Sequence, residues 1–487
     1  MSPEASLASL PSIDGYIAQV WTGTSREPVY YNGKPAERVF ENAFLEYGSM
    51  VSMTAPTNRK MFFLTDPIED WPRDWSDYKR NYEATFTAKL LYPMVADYEV
   101  MPWPERIYTR PYKVANSDSS ILIPKYYSTQ MQVMVNALND MPLSDNRVSG
   151  VNGIGVLMGN SLMFQRFPTH NGYEDPQFSN FYGQTMPLLK RGVPVQTVHM
   201  ENLTYATTLK DIKVLVMSYS NMKPMAPDVH KFLAEWVKKG GVLIYCGRDD
   251  DPYQTVMEWW NTKGNKYKAP SEHLFETLGI KPDSAHAKFT VGKGTVHILR
   301  NNPKEFVMNS QSSPLYIEAV KQAYENDAKA GELSFKNNLY VERGPYDIVS
   351  VLDESVGRKP YTIQGPVIDL FDPQLPVLKQ KVVNPGRQAF LYVVDRVANK
   401  KQPKVLASAS RIYSEKTAGN SYQFICKSPL NTVNSMRVLL PGQPKTVVVT
   451  NSNGQKIEAK NSWDASSSTA YLGFDNSPDG IKVSLTW

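Results

Sequence analysis

The sequence has little cysteine and little histidine. Only two cysteines occur in 487 residues, Cys246 and Cys426, and neither has a second cysteine at CxxC spacing. This pattern gives no local signal for a zinc site or a thioredoxin-like redox pair, and the simplest interpretation is two buried thiols acting as small apolar side chains. The first of six histidines is His170. Any acid–base chemistry or metal binding before that position therefore has to rely on carboxylates.

Long apolar runs and a strong charge bias are also absent. No apolar stretch approaches the roughly 20 residues that cross a bilayer, and the N-terminus lacks the basic and apolar segments of a signal peptide. The net charge is only +5, with lysines and arginines scattered among acids, which does not indicate a nucleic-acid-binding tract. We therefore expect no membrane span, no signal peptide in this chain and no nucleic-acid partner. A secreted or periplasmic location of a longer parent protein stays open.

Three apolar runs in the first 110 residues alternate with segments of helical pattern. The runs are Gly15–Trp21, Lys60–Asp66 and Tyr98–Trp103, and the helical segments are Ala36–Val51 and Trp75–Leu91. This order predicts a parallel sheet, because parallel neighbours need a long crossover. Three strands cannot close a barrel and would leave long edges exposed, whereas a complete (β/α)8 barrel needs roughly 250 residues. We expect residues 1–110 to be the C-terminal part of such a barrel, whose N-terminal half lies outside this chain.

The middle of the chain predicts a doubly wound α/β domain at about 131–330, after a linker at 111–130. Continuous apolar runs such as Gly153–Met158 and Val214–Ser218 alternate with helical segments, as is typical of buried parallel strands. The amphipathic segment Asp228–Lys239 is followed by Gly240 and Gly241, a strong signal for the end of a helix.

After Gly331 the pattern changes to short alternating runs without helices between them. Asn338–Glu342 and Ala389–Val394 are examples, and Asn451–Gly454 has the residues of a hairpin turn. Strands at this spacing predict an antiparallel β-sandwich over 332–487. The fold class expected is thus multidomain, α/β followed by all-β.

This order of domains resembles bacterial β-galactosidase-like glycoside hydrolases, in which an amidotransferase-like trimerisation domain and a small β-sandwich follow the barrel. The segments that carry the resemblance are Gln19–Thr24, Phe62–Asp70, Val100–Arg106, Lys238–Ile244 and the Gly-Lys-Gly strand at 292–294. The resemblance implies hydrolysis of O-glycosidic bonds in an oligo- or polysaccharide, with no cofactor and no metal. It also implies assembly of a homo-oligomer through the α/β domain.

The resemblance further implies where the site lies. In that family the seventh strand ends in the carboxylate nucleophile, and the eighth ends in a tryptophan that lines the first sugar site. The matching positions here are Asp66 and Trp103. Asp66 stands where the family has a glutamate, which is a departure from its pattern. The general acid would lie on the fourth strand, outside this chain.

The residues near the predicted strand ends agree with carbohydrate chemistry. Asp66, Glu69 and Asp70 follow a strand at the face where barrel enzymes carry their sites, and glycosidases commonly use two carboxylates. Indole rings stack well on sugars. Our candidate catalytic residues are Asp66 and Glu69. Our candidate substrate-binding residues are Trp21, Arg26, Asp70, Trp71, Trp103 and Glu105, and Trp75 lies near the same strand ends.

Each candidate has a structural alternative. Asp66 precedes Pro67 and could be a turn residue, Glu69 and Asp70 could cap the following helix, and the tryptophans could be packing residues. Glu105 is more readily explained by pairing with Arg106 or solvent, and Arg26 by a surface ion pair. The alternative function is that of a non-catalytic carbohydrate-binding or assembly protein. A phosphorylase ranks third, because no phosphate cradle is evident.

The α/β domain offers little chemistry of its own. The strand that ends at Val216–Asn221 carries no cysteine and no GxSxG turn, so neither a glutamine amidotransferase nor an α/β-hydrolase site is expected. Asp249–Asp251 follows a strand and could hold a cation, but a solvated loop is the favoured interpretation. We therefore expect the domain to serve assembly or to shape the rim of a site.

Overall fold

A computed structural model describes residues 5–68, 73–99, 104–164, 174–255, 260–262, 264–283 and 286–487. The chain forms two compact units. Unit 1 comprises Met1–Phe62, Ser149–Leu339 and Leu352–Arg358, and unit 2 comprises Phe63–Val148, Tyr340–Val351 and Lys359–Trp487. Among the described residues, no helix is both long and apolar enough for a membrane crossing.

The described residues of the N-terminal part contain seven strands and five helices. Strands β1–β7 are Gly15–Val20, Pro28–Tyr31, Lys34–Glu37, Lys60–Thr65, Asp97–Tyr98, Tyr112–Lys113 and Ser120–Ile121. Helices α1–α5 are Thr22–Ser25, Val39–Thr54, Trp75–Leu90, Pro104–Tyr108 and Lys125–Asn139. Strands β1, β4 and β5 form one three-stranded sheet with β4 in its centre. The first two expected strands therefore share a sheet with β5. The third expected strand, Tyr98–Trp103, overlaps β5 only at Tyr98, and its residues 100–103 lie outside the described residues. Helices α2 and α3 largely coincide with the two segments in which helices were expected.

A hairpin that the sequence analysis did not foresee lies between β1 and α2. Strands β2 and β3 pair antiparallel with Tyr31 opposite Lys34. Asn32 and Gly33 between them both have positive φ, 50° and 76°, which is the conformation of a type I′ turn. The Asn-Gly pair is the strongest short-range hairpin signal in a sequence, and here it takes precedence over the helical pattern assigned to Ala36.

The α/β part of unit 1 is built on a six-stranded sheet. Strands β8–β13 are Ile154–Met158, Gln196–His199, Val214–Met217, Val242–Cys246, His286–Val291 and Gly294–Leu299. Helices α6–α11 are Ser161–Phe164, Ser179–Leu189, Val229–Lys238, Pro270–Leu278, Glu305–Met308 and Ser313–Gln322. The sheet order is β12-β13-β11-β10-β8-β9. All neighbouring pairs are parallel except the edge pair of β12 and β13.

This arrangement is the doubly wound order in which the first strand lies between the second and the third. Strands β8, β10 and β11 are buried along their whole lengths, which explains their continuous apolar sequences. Helix α8 ends where expected, and Gly240 beyond it has a φ of 122°, a conformation that glycine adopts at low cost.

The C-terminal part is all-β, as expected. Strands β14–β26 are Asn338–Arg343, Tyr346–Val351, Tyr361–Asp369, Val377–Val383, Arg387–Val393, Lys404–Ser408, Arg411–Ala418, Ser421–Lys427, Val433–Leu439, Thr446–Asn451, Lys460–Asp464, Thr469–Asp475 and Ile481–Thr486. A five-stranded sheet has the order β14-β15-β18-β16-β17. Two four-stranded sheets follow, β19-β22-β25-β24 and β20-β21-β26-β23. Alternate side chains of the last two sheets share one core, which includes Phe424, Val438, Leu472 and Val483, so these two sheets form a sandwich.

Candidate active site

Asp66 directly follows β4 in unit 2. Strand β4 is apolar, with Met61, Phe63 and Leu64 buried, and burial extends beyond the strand to Asp66. The Asp66 side chain is only 7% exposed. A carboxylate at such a position costs free energy unless its surroundings offset the loss of hydration. Asp66 is therefore more than a solvated turn residue, because a turn role does not require burial.

Buried tyrosines interact electrostatically with this strand end. Tyr82, on α3, is 1% exposed, and its pKa is raised above the ordinary value, first by burial and then by the charges of Tyr108 and Asp66. Burial also raises the pKa of Tyr108, against a hydrogen bond donated by the Gln132 amide. Both phenols consequently stay protonated at physiological pH. One electrostatic neighbour of the Asp66 carboxylate is thus a neutral phenol.

An aromatic cluster packs beside the same loop. The ring of Trp75, at the start of α3, lies 5.3 Å from Tyr78, 5.9 Å from Tyr112 and 6.1 Å from Tyr127, measured between centroids. The Tyr127 hydroxyl, on α5, donates a 2.7 Å hydrogen bond to the carbonyl oxygen of Pro67. This bond ties the residue after Asp66 to α5. The sequence placed Trp75 near the strand ends, but it gave no sign of the three tyrosines, which come from separate elements.

The other candidates divide into three groups. Glu69, Asp70, Trp71 and Trp103 lie outside the described residues. Glu105 is exposed at the first turn of α4 in unit 2. Trp21 and Arg26 flank α1 in unit 1, with Trp21 39% exposed. The Arg26 guanidinium is buried, and its Nη1 lies 3.1 Å from Glu37 Oε2, so the ion pair weighed for Arg26 is present.

The loop after β11 is solvated only in part: Asp250 is exposed, Asp249 is half-buried and Asp251 is buried. Asp251 is 2% exposed, and its Oδ2 accepts a 2.6 Å hydrogen bond from the backbone N–H of Asn221. Asp250 accepts one from the Asn302 amide, and Asp249 pairs with Arg300. These carboxylates hold neighbouring loops of the sheet together. No cluster of histidine, cysteine, aspartate or glutamate suited to a metal ion occurs in the described residues.

Both cysteines are buried and unpaired with each other. Burial raises the pKa of the Cys426 thiol to about 12 and raises that of Cys246 as well. Neither thiol is therefore a nucleophile at neutral pH. This agrees with the structural role expected for them.

The chain matches no protein-family model and no curated protein sequence. Solved structures that resemble it include Gan42B, a GH42 β-galactosidase, with TM-score 0.47, 11% identity, and coverage of 80% of this chain and 60% of that one. A β-galactosidase from Bacillus circulans sp. alkalophilus has TM-score 0.43, 9% identity and coverage of 75% and 59%. A third, from the psychrophilic Marinomonas ef1, has TM-score 0.41, 11% identity and coverage of 81% and 60%. The likeness is distant, and the chain spans about 60% of the length of these proteins.

Proposed function

We propose that this chain is the C-terminal portion of a carbohydrate-active enzyme that hydrolyses O-glycosidic bonds with a pair of carboxylates. In this proposal β1, β4 and β5 are strands of a (β/α)8 barrel, and the remaining strands belong to a longer parent protein. Asp66 is the carboxylate that faces the anomeric carbon, with Glu69 as the alternative. Asp70, Trp71, Trp103 and Glu105 contact the sugar.

The observation that carries the proposal is the buried carboxylate of Asp66 at the end of β4, beside a protonated Tyr82. Glycoside hydrolysis passes through an oxocarbenium-like transition state, which an ionised carboxylate at close range stabilises. The dipole of a neutral phenol stabilises the carboxylate, and the phenol adds no second negative charge beside it. The aromatic cluster of Trp75 adds rings of the kind that line sugar sites.

The experiment requires the longer parent protein. The source DNA upstream of the Met1 codon is sequenced, the parent is produced, and the hydrolysis of aryl glycosides is measured. We expect Asp66→Ala to lower kcat/KM at least about a thousandfold, as for loss of a group that acts on the reacting atoms. Asp77→Asn is the matched control, because Asp77 makes surface ion pairs with Arg73 and Arg80 on the same unit and should leave turnover unchanged.

The chain alone should hydrolyse aryl glycosides little or not at all, because a partner acid for Asp66 is not expected within it. Robust turnover by residues 1–487 that Asp66→Ala abolishes would show that the site is complete here. Equal activity of the parent with and without Asp66 would remove Asp66 from the mechanism.

The competing function is a non-catalytic carbohydrate-binding or assembly protein. It is favoured if the upstream DNA encodes no further barrel strands, because a three-stranded sheet lacks the second carboxylate that hydrolysis needs. In that case saccharide binding without turnover is the expected result.

A further inference from the structure

A cavity of about 320 Å³ opens in unit 2, away from the elements that carry Asp66. Three segments line it: the end of α5, Tyr346 of β15, and residues 405–415 of β19 and β20. The volume lies at the lower end of the roughly 300–1,000 Å³ typical of ligand pockets. It suits a ligand of one or two small rings.

Tyr346 is the most buried aromatic residue that lines this cavity. The side chain is only 3% exposed, and its hydroxyl makes no hydrogen bond within the described residues. Burial raises the pKa of Tyr346, and the charge of Asp140 and the neighbouring Tyr392 raise it further. The phenol is therefore neutral and can both donate and accept. A buried hydroxyl of this kind is normally satisfied by a protein group, a water molecule or a ligand.

Asp140 supplies an acceptor at the rim. It is the residue at the C-terminal end of α5, it is exposed, and its carboxylate makes no ion pair with the described side chains. Asp140 and Tyr346 both line the cavity. An exposed carboxylate and a phenol give the cavity one acceptor and one group that can both donate and accept.

The walls of the cavity are held in place by hydrogen bonds between their elements. The Asn136 amide donates a 3.1 Å bond to the carbonyl oxygen of Ser408, and Arg411 Nη2 donates a 3.1 Å bond to Asn139 Oδ1. Both bonds join α5 to the strands on the other side. The polar groups therefore have fixed positions before any ligand arrives, which lowers the entropic cost of binding.

The chemistry of the lining favours a neutral polyhydroxylated ligand. Planar amide, guanidinium and carboxylate groups present donors and acceptors at close spacing, and the Tyr413 ring, 41% exposed, offers an aromatic face at the mouth. Sugars combine directed hydroxyls with an apolar ring face, so both kinds of contact are used. Charges of both signs line the cavity, Asp140 and Glu415 against Arg411, which does not select a strongly charged ligand.

We propose that this cavity, with Tyr346, Asp140, Asn136 and Arg411 as its polar contacts and Tyr413 as its aromatic contact, is a saccharide-binding site. It is separate from the candidate active site and does not depend on Asp66. It would hold one or two sugar rings on the β-rich part of the protein.

The test uses the full chain and named probes. Galactose, glucose, mannose, rhamnose and lactose are titrated by isothermal calorimetry and by saturation-transfer NMR, with glycerol and spermidine as non-sugar probes. We expect saturable binding of at least one sugar, weakened about tenfold by Tyr346→Phe and by Asp140→Asn, as for loss of one hydrogen bond to a polar or charged group. Asp140 is exposed, so its variant keeps the test valid even if Tyr346→Phe lowers stability.

Tyr392→Phe is the matched control. Tyr392 pairs directly with Tyr346 across the two strands and feels the same carboxylate, but it does not line the cavity. Sugar affinity should be unchanged in Tyr392→Phe. The proposal is overturned if no sugar binds, if spermidine binds and the sugars do not, or if neither Tyr346→Phe nor Asp140→Asn changes the sugar affinity. Sugar binding that Asp66→Asn removes and the cavity variants spare would overturn it too, while supporting the candidate active site.

Discussion

Lys190 in unit 1 and Lys89 in unit 2 are both almost completely buried, and their surroundings differ. Lys190 in unit 1 is 0% exposed, and its Nζ lies 2.5 Å from Glu41 and 2.6 Å from Asp353. Burial alone would lower its pKa, but the two carboxylates outweigh burial and raise it. Lys89 in unit 2 is also buried, yet its ammonium lies over the rings of Phe86 and Tyr98 without an ion pair in the described residues. Burial lowers its pKa to about 7.

The difference shows that burial does not determine the charge of a side chain by itself. The partners decide whether a buried group is a structural ion or a group that titrates near neutral pH. The carboxylates repeat the contrast. Asp251 and Asp249 are held by an N–H group and an arginine, and the buried Asp66 has the neutral Tyr82 as one of its electrostatic neighbours. Strongly perturbed groups of the second kind are candidates for function, although structural causes perturb them as well.

The largest expected effect is on Lys190. Lys190→Met leaves the Glu41 carboxylate buried beside an apolar side chain, which typically costs about 3–5 kcal/mol. We expect the free energy of unfolding of unit 1, measured by urea titration, to fall by that amount. Lys321→Met, at an exposed position of α11, should change it little. A loss below about 1 kcal/mol for Lys190→Met would mean that the ion pairs barely offset their own desolvation.

The opposite sign is expected for Lys89. Lys89→Met replaces a cation that lacks a carboxylate partner with an apolar side chain of similar length. The free energy of unfolding of unit 2 should therefore rise by on the order of 2 kcal/mol at neutral pH. This value follows from about 1.4 kcal/mol per unit of pKa shift, reduced because the new side chain packs imperfectly. Lys79→Met on the same helix, which removes a surface pair with Glu83, should instead cost less than about 1 kcal/mol. Destabilisation by Lys89→Met would show that the ring contacts outweigh burial.

The pH dependence of stability offers a second test of the difference between Lys89 and Lys190. The unfolded lysine titrates near 10.5 and the folded one near 7, so the unfolded state binds the extra proton between these values. Stability of the wild-type protein relative to Lys89→Met should therefore rise with pH across this window and be flat below about pH 7. Unfolding titrations of both proteins at intervals from pH 6 to pH 10 measure it. A constant difference would place the folded pKa of Lys89 near its ordinary value.

The smallest effect concerns the loop after β4. Tyr127→Phe removes the hydrogen bond to Pro67 but keeps the ring against Trp75, so a loss of about 1 kcal/mol is expected. Thermal unfolding of the variant beside Tyr126→Phe, a half-exposed neighbour, isolates the contribution of the bond. Equal stability of the two variants would mean that water replaces the Tyr127 hydroxyl without cost.

Local patterns predicted much of the fold. The runs at 154–158, 214–217 and 242–246 are strands because a continuous apolar sequence has to be buried on both faces, and that requirement is met by a parallel sheet. Helix α8 ends before Gly240 because glycine adopts a positive φ at low cost, and this property belongs to a single residue. The Asn32-Gly33 turn is an equally local signal, and it limits how far towards the N-terminus the helical pattern before α2 extends.

The sequence by itself determined which segments are strands and helices, because periodicity and turn residues act over a few positions. Only the tertiary structure decided what the polar residues do. Lys89 and Lys190 both occur in or next to helices rich in apolar residues, and nothing nearby distinguishes them. The partners of Lys190 come from positions 41 and 353, and the ring cluster at Trp75 combines positions 78, 112 and 127. Charge and hydrogen bonding depend on distances of a few ångströms between residues far apart in the chain, and those distances exist only in the folded protein.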